Sequence, residues 1–214
     1  MPTGNYRKTF SFPDHSFSDN AANVSFDRAD AYEVTLAAIN SNNTGTLSTR
    51  TDNDTGVASL TSGHTIGDGN TVDVYWSGGV RYGMTASVSG NEVTIDGGAG
   101  DNLPVQDTAI TVTTRTRINC SFDGDNIDII GVFYRNTDDT GAKAHVDFQD
   151  SGSNSINEVD LVHEKAAGGL NQVVNVDAGD SNTYSGNAIT KAFASHDSEE
   201  AATIYILVGL DATP

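Results

Sequence analysis

Short segments of alternating apolar and polar residues, cut apart by turn-forming clusters, constrain this chain more than any other feature. Alternation puts every second side chain on one face of an extended strand, so the pattern asks for half-buried β-structure. Residues 6–12 carry Tyr6, Lys8, Phe10 and Phe12 on one face. Residues 32–39 read as a second strand, ended by Asn40-Ser41-Asn42-Asn43-Thr44-Gly45. Asp52-Asn53-Asp54-Thr55-Gly56 and Gly67-Asp68-Gly69-Asn70 are further turns, built from residues that tolerate positive φ or close local hydrogen bonds.

The centre of the chain gives the clearest pattern. Residues 71–76 form a strand, Ser77-Gly78-Gly79 a turn, residues 80–88 a second strand, Ser89-Gly90-Asn91 a turn, and residues 92–95 a third strand. These hairpin-length connections predict a β-meander. A glycine-rich loop, Asp96-Gly97-Gly98-Ala99-Gly100-Asp101-Asn102, is closed by Leu103-Pro104 and followed by a strand over 108–112. Residues 118–122, 127–134 and 142–148 continue the β pattern, and residues 203–208 are apolar enough for the middle of a sheet. Ser155-Ile156-Asn157-Glu158 has the form of a helix capping box and allows one short helix to Ala167, with a strand as the alternative.

The expectation is an all-β fold: an antiparallel β-sandwich or barrel with a β-meander insertion and at most one short helix. Residues 1–55 and 114–214 would form the main sandwich body, and residues 56–113 a meander or barrel subdomain. The first strands would then pair with strands after Thr113.

Composition narrows the function classes. Hydrophobic residues make up only 36% of the 214, but Thr, Ser, Asn, Asp and Gly fill the difference, with 4 Pro and 19% charged residues. That usage suits short strands and many turns rather than disorder. The net charge of −18 repels phosphate backbones and anionic lipid, which argues against a specific nucleic-acid partner and against a membrane surface. No segment approaches the roughly 18 apolar residues of a bilayer span. The first eight residues lack a signal-peptide core, so synthesis in the cytoplasm is expected. Cys120 is the only cysteine, which rules out an internal disulfide and reads as an inert thiol on a strand.

Candidate sites are few. The Gly97-Gly98-Ala99-Gly100-Asp101-Asn102 segment resembles a calcium-binding Gly-Gly-x-Gly-x-Asp repeat, but it occurs once and its Asp is one position early. Asp52-Asn53-Asp54 and Asp123-Gly124-Asp125-Asn126 offer oxygen ligands without EF-hand spacing, so structural turns are the default. His15, His64, His145, His163 and His196 are scattered without ligand or nucleophile spacing, and His163-Glu164 alone looks like a pair. No enzyme, cofactor or metal is expected. Trp76, beside Tyr75, is the one tempting stacking platform, and core or interface is the favoured reading for it.

Two stretches, Val72-Asp73-Val74-Tyr75-Trp76-Ser77-Gly78-Gly79-Val80-Arg81-Tyr82-Gly83-Met84 and Ile95-Asp96-Gly97-Gly98-Ala99-Gly100-Asp101-Asn102-Leu103-Pro104, resemble small structural proteins of tailed bacteriophages and prophages. The ending Leu207-Val208-Gly209-Leu210-Asp211-Ala212-Thr213-Pro214 is similar in character. The resemblance covers about a quarter of the chain and transfers no functional residue. It implies a virion protein, made in the host cytoplasm, that assembles with itself and with a capsid or tail protein. Capsid decoration is the first reading, a tail tube or tail-associated role the second, and a glycan- or calcium-binding β-module around Trp76 and residues 96–102 the third. The assembly residues expected are Tyr6, Phe10, Phe12, Tyr75 and Trp76.

Overall fold

The alternating segments do become strands, and their pairing order decides the architecture. The computed structural model describes residues 8–12, 15–19, 28–98, 102–118, 126–136, 142–162, 171–177 and 191–211. In chain order the strands are β1 (Lys8–Phe12), β2 (His15–Asp19), β3 (Arg28–Leu36), β4 (Thr44–Arg50), β5 (Thr55–Leu60), β6 (Thr71–Trp76), β7 (Gly79–Ser89) and β8 (Glu92–Asp96). They continue with β9 (Ala109–Thr114), β10 (Thr116–Ile118), β11 (Asn126–Asn136), β12 (Lys143–Gln149), β13 (Ser155–Val162), β14 (Asn171–Asp177), β15 (Lys191–His196) and β16 (Ala202–Asp211). A 3-10 turn at Ser41–Asn43 is the helical element among the described residues.

Two four-stranded antiparallel sheets, ordered β14-β11-β16-β3 and β10-β15-β12-β13, face each other. Their eight strands pair first with last (β3 with β16), then β10 with β15, β11 with β14 and β12 with β13. A single long hairpin rolled over on itself gives that order, so this body is a jelly roll. Val132, Tyr134, Val146, Phe148, Leu161 and Ile204 fill the space between the sheets. The apolar β16 lies between β11 and β3, as its composition predicts.

The connection between the first and second strands of the roll is itself a structure. β4, β5, β8, β7, β6 and β9 form a closed barrel in that order. Leu47, Val72, Val74, Met84, Ile95 and Val112 fill it. The meander β6-β7-β8 is present, with β6 ending at Trp76 and β7 opening at Gly79. The barrel also draws in β4, which pairs with β5 and β9, so the inserted unit spans residues 44–114 rather than beginning at residue 56. β4 escapes the sequence pattern because Leu47 is the one buried side chain in Thr-Gly-Thr-Leu-Ser-Thr-Arg.

The region from Ser155 is a strand, not a helix. Its capping-box Glu158 stands opposite Asp147 of β12, and Asp160 stands opposite His145. Val159 and Leu161 alternate into the core from this strand, and period two there outweighs the local capping signal. A hairpin of β1 and β2 pairs Phe10 with Phe17 and Phe12 with His15.

Candidate functional site

The barrel packs on the outer face of the β10-β15-β12-β13 sheet, and the residues that hold it there form the most elaborate polar site among those described. Alternation along β12 sends Ala144, Val146 and Phe148 into the core and leaves His145, Asp147 and Gln149 on the other face. Register then sets Asp160 and Ser195 on either side of His145, and Glu158 and Phe193 on either side of Asp147. In a sheet with one wet face these side chains would meet solvent. Here His145 is 0% exposed and Asp147 2%.

The barrel answers with Asp73, Tyr75, Tyr82 and the connecting residue Arg115. In β6, Val72 and Val74 point into the barrel while Asp73 and Tyr75 point at the sheet, which explains four consecutive buried residues. Across from Asp73, β7 carries two residues, Tyr82 and Gly83, between the paired positions Val74↔Arg81 and Val72↔Met84. This bulge re-aims Tyr82 out of the barrel wall. Gly83 takes φ 66, a left-handed conformation that favours glycine, and its N–H donates to Asp73 Oδ1 at 2.8 Å.

Arg115 lies where the chain passes from β9 to β10, that is, from barrel to jelly roll. Its Nε donates to Asp73 Oδ1 and Oδ2 at 2.8 and 3.1 Å, and its Nη1 donates to Asp147 Oδ2 at 2.6 Å. One guanidinium thus ties a barrel carboxylate to a sheet carboxylate. The Arg115 side chain is 6% exposed; burial alone would weaken its charge, but Asp73 and Asp147 outweigh that and raise its pKa. Gln149 and Ser155 donate to Asp147 at 2.6 and 2.7 Å. On the far side, Ser195 donates to Asp73 Oδ2 at 2.5 Å, and so accepts from the Tyr75 hydroxyl at 2.7 Å. Burial first, and Asp73 second, push the Tyr75 phenol well above its usual value, so it stays a neutral donor.

Beside this chain of contacts Tyr82 stacks on His145, with centroids 3.5 Å apart and planes 17° from parallel. The Tyr82 hydroxyl donates to Asp160 Oδ1 at 2.5 Å, and His145 Nδ1 meets the same oxygen at 2.9 Å. His145 Nε2 faces Glu158 at 3.7 Å. Burial works to lower the His145 pKa, but the contacts with Asp160 and Glu158 overcome it and hold it above the ordinary histidine value. Burial works to raise Asp160, and its bonds to His145 and Tyr82 prevail and lower it. Glu158 is lowered chiefly by His145. The arrangement fixes two bodies together; its carboxylates are matched to cations and to hydrogen-bond donors.

The residues singled out from the sequence fall elsewhere. Tyr75, expected at an assembly interface, is 1% exposed and hydrogen-bonded to Ser195, so it belongs to this internal seam and not to an outer surface. Trp76 is half-buried against the barrel core. Its indole lies over Gly79, where a Cβ would come within 2.8 Å of the ring. It also lines a groove of about 710 Å³ with Lys143 and Asp197. Phe10 and Phe12 lie on β1, and Tyr6 lies outside the described residues. Asp52 Oδ1 accepts from the N–H groups of Asp54 and Thr55, which makes that segment a self-satisfied turn. Asp96 accepts from Gly98, and the Gly97 carbonyl is held by Arg81. Residues 99–101, 123–125, Cys120 and the His163-Glu164 pair lie outside the described residues. His64 meets the Gly90 carbonyl and His196 the Ala37 carbonyl. Among the described residues no group of three or more His, Cys, Asp or Glu could hold a metal ion.

Asp73, Tyr82, Arg115, Asp147 and Asp160 went unseen in the sequence reading. One signal was available: an aspartate inside the otherwise apolar run Val72-Asp73-Val74-Tyr75 demands a buried partner. No protein-family model matches the chain, and none of the curated proteins compared with it matches. Among solved structures, the VP2 subviral particle of infectious bursal disease virus is similar over 89% of this chain and 75% of that one, at 7% identity and a TM-score of 0.27. The strand order, not that superposition, defines the jelly roll.

Proposed function

We propose that this chain is a structural protein of a tailed-bacteriophage particle, decorating the capsid through protein–protein assembly. The observation that carries the reading is the joining of a jelly roll and a closed barrel by the Arg115 seam, which leaves the roll's sheet borders as the edges still to be met. The jelly roll leaves the outer edges of β3 and β14, and of β10 and β13, as sheet borders. Edge strands are templates for pairing with another chain unless something covers them, and a neighbouring subunit is such a cover. The closed barrel has no such border and suits an outward-facing role. Jelly rolls occur in viral capsid domains, though a fold by itself assigns no activity. Resemblance to phage structural proteins and the net charge of −18 support the same reading.

The test is light scattering and negative-stain microscopy of the pure chain, with co-sedimentation on particles from a lysate of the strain that carries its gene. Closed oligomers, or retention on particles, are expected. The double variant Phe10→Ser, Phe12→Ser should lose that retention while keeping its thermal transition. A chain that stays monomeric at its highest soluble concentration and leaves particles untouched overturns the proposal.

A further inference from the structure

At one end of the seam, between barrel and jelly roll, lies a cleft of about 470 Å³ lined in part by Asn70, Thr71, Thr114, Gln149 and Ser153, with Arg115 and Phe193 completing it. Junctions between bodies are favoured places for ligand sites of this size. Each amide here is held at one end and unspent at the other. Asn70 Oδ1 accepts from the Gly67 N–H at 2.7 Å, which orients its amide nitrogen as a donor. Gln149 donates its nitrogen to Asp147, which leaves Oε1 as an acceptor. Ser153 Oγ accepts from Lys191 Nζ at 2.8 Å and keeps its proton to give. The Thr71 and Thr114 hydroxyls, both on exposed residues, have no protein partner among the described residues. The half-buried Phe193 ring supplies the one aromatic surface.

This is a set of fixed donors and acceptors around one ring, with Arg115 already matched by Asp73 and Asp147 and Lys191 engaged by Ser153 and the Ser151 carbonyl. An anion would meet the seam carboxylates and a net charge of −18. An apolar ligand would strand the polar groups without partners. A sugar ring suits both halves, since its hydroxyls donate and accept while its C–H face packs on an aromatic ring. We propose that this cleft binds a neutral saccharide. Thr71, Arg115, Gln149 and Ser153 also line an adjoining depression of about 480 Å³, so the site extends to more than one sugar unit. The location differs from Trp76 and residues 96–102, and the inference does not depend on the virion reading.

Fluorescently labelled full-length chain on a microarray of neutral and acidic oligosaccharides tests it. Retention on neutral glycans is expected, falling about tenfold or more in Phe193→Ala, as loss of the stacking surface requires. That variant should still unfold in a cooperative thermal transition, at a somewhat lower midpoint because Phe193 is half-buried. If it fails to fold, Thr71→Val with Thr114→Val removes two hydroxyls at exposed positions and reads the same loss. Retention on acidic glycans alone, no retention on any glycan, or neutral retention that the variants leave intact overturns the proposal.

Discussion

The barrel and the jelly roll solve the same problem of burying strand faces in opposite ways. The barrel closes on itself, so its six strands satisfy one another around Leu47, Val74, Met84 and Ile95. The jelly roll has two open sheets, and the outer face of one is covered only because the barrel sits on it. That covered face carries His145 and Asp147, polar groups that an isolated sandwich would leave in water. The barrel closes every strand pairing within itself and meets that face with Asp73 and Tyr75, whereas the sheet brings a whole polar face to be met. The seam is therefore where the two can be told apart by experiment.

The largest effect should come from Arg115→Met. It leaves Asp73 and Asp147 buried without their cation, a loss of about 3–5 kcal/mol by analogy with broken buried pairs. Urea denaturation followed by both far-ultraviolet dichroism and the fluorescence of Trp76, which sits in the barrel, should separate into two transitions. Adding Asp73→Asn and Asp147→Asn to the variant should recover part of the loss. A single unshifted transition would mean that the bodies do not rely on this contact.

Tyr82→Phe should cost less, about 1 kcal/mol, because Asp160 keeps its bond to His145 and is 64% exposed to water. The stack on His145 survives the change. Its signature is a small shift in midpoint with unchanged slope.

A pH profile sharpens the comparison with the smallest perturbation of all. His145 is raised, so its contribution is complete below the ordinary histidine value of 6.5 and is lost as pH rises through its folded value. Asp160 and Glu158 are lowered, so theirs are present above their ordinary values of 3.8 and 4.5 and vanish as pH falls through the folded ones. The seam should be tightest between pH 4.5 and 6.5. Above that window Arg115 remains the cation paired with Asp73 and Asp147. Thermal melts should show the alkaline decline in the parent and its absence in His145→Gln.

Much of the fold was legible because burial on one face writes itself as alternation. β6, β7, β8 and β12 carry that mark, and β16 is legible instead as a continuous apolar run. β4 and β5 do not, since Thr, Ser and Gly hold most of their positions and the barrel needs only Leu47, Ala58 and Leu60 from them. β13 was ambiguous because Ser155 and Glu158 satisfy a helix rule locally while their true partners lie across the sheet. The seam was nearly invisible: Asp73 and Ser195 touch across 122 positions, and no local pattern encodes a partner that distant. What the sequence could offer was the misfit of an aspartate among valines.

The placement of the barrel between β3 and β10 also sets an order in time. Every pairing between barrel strands is made by residues 44–114, so that unit can close while the ribosome is still translating the remainder. The roll cannot, because β3 pairs with β16 and must wait until residues 202–211 emerge. Closing so long a loop is slow compared with local pairing. A nascent chain thus spends its synthesis as a finished barrel with an unfinished partner, its β3 edge open the whole time, and chaperone demand should track the rate at which the last strand arrives.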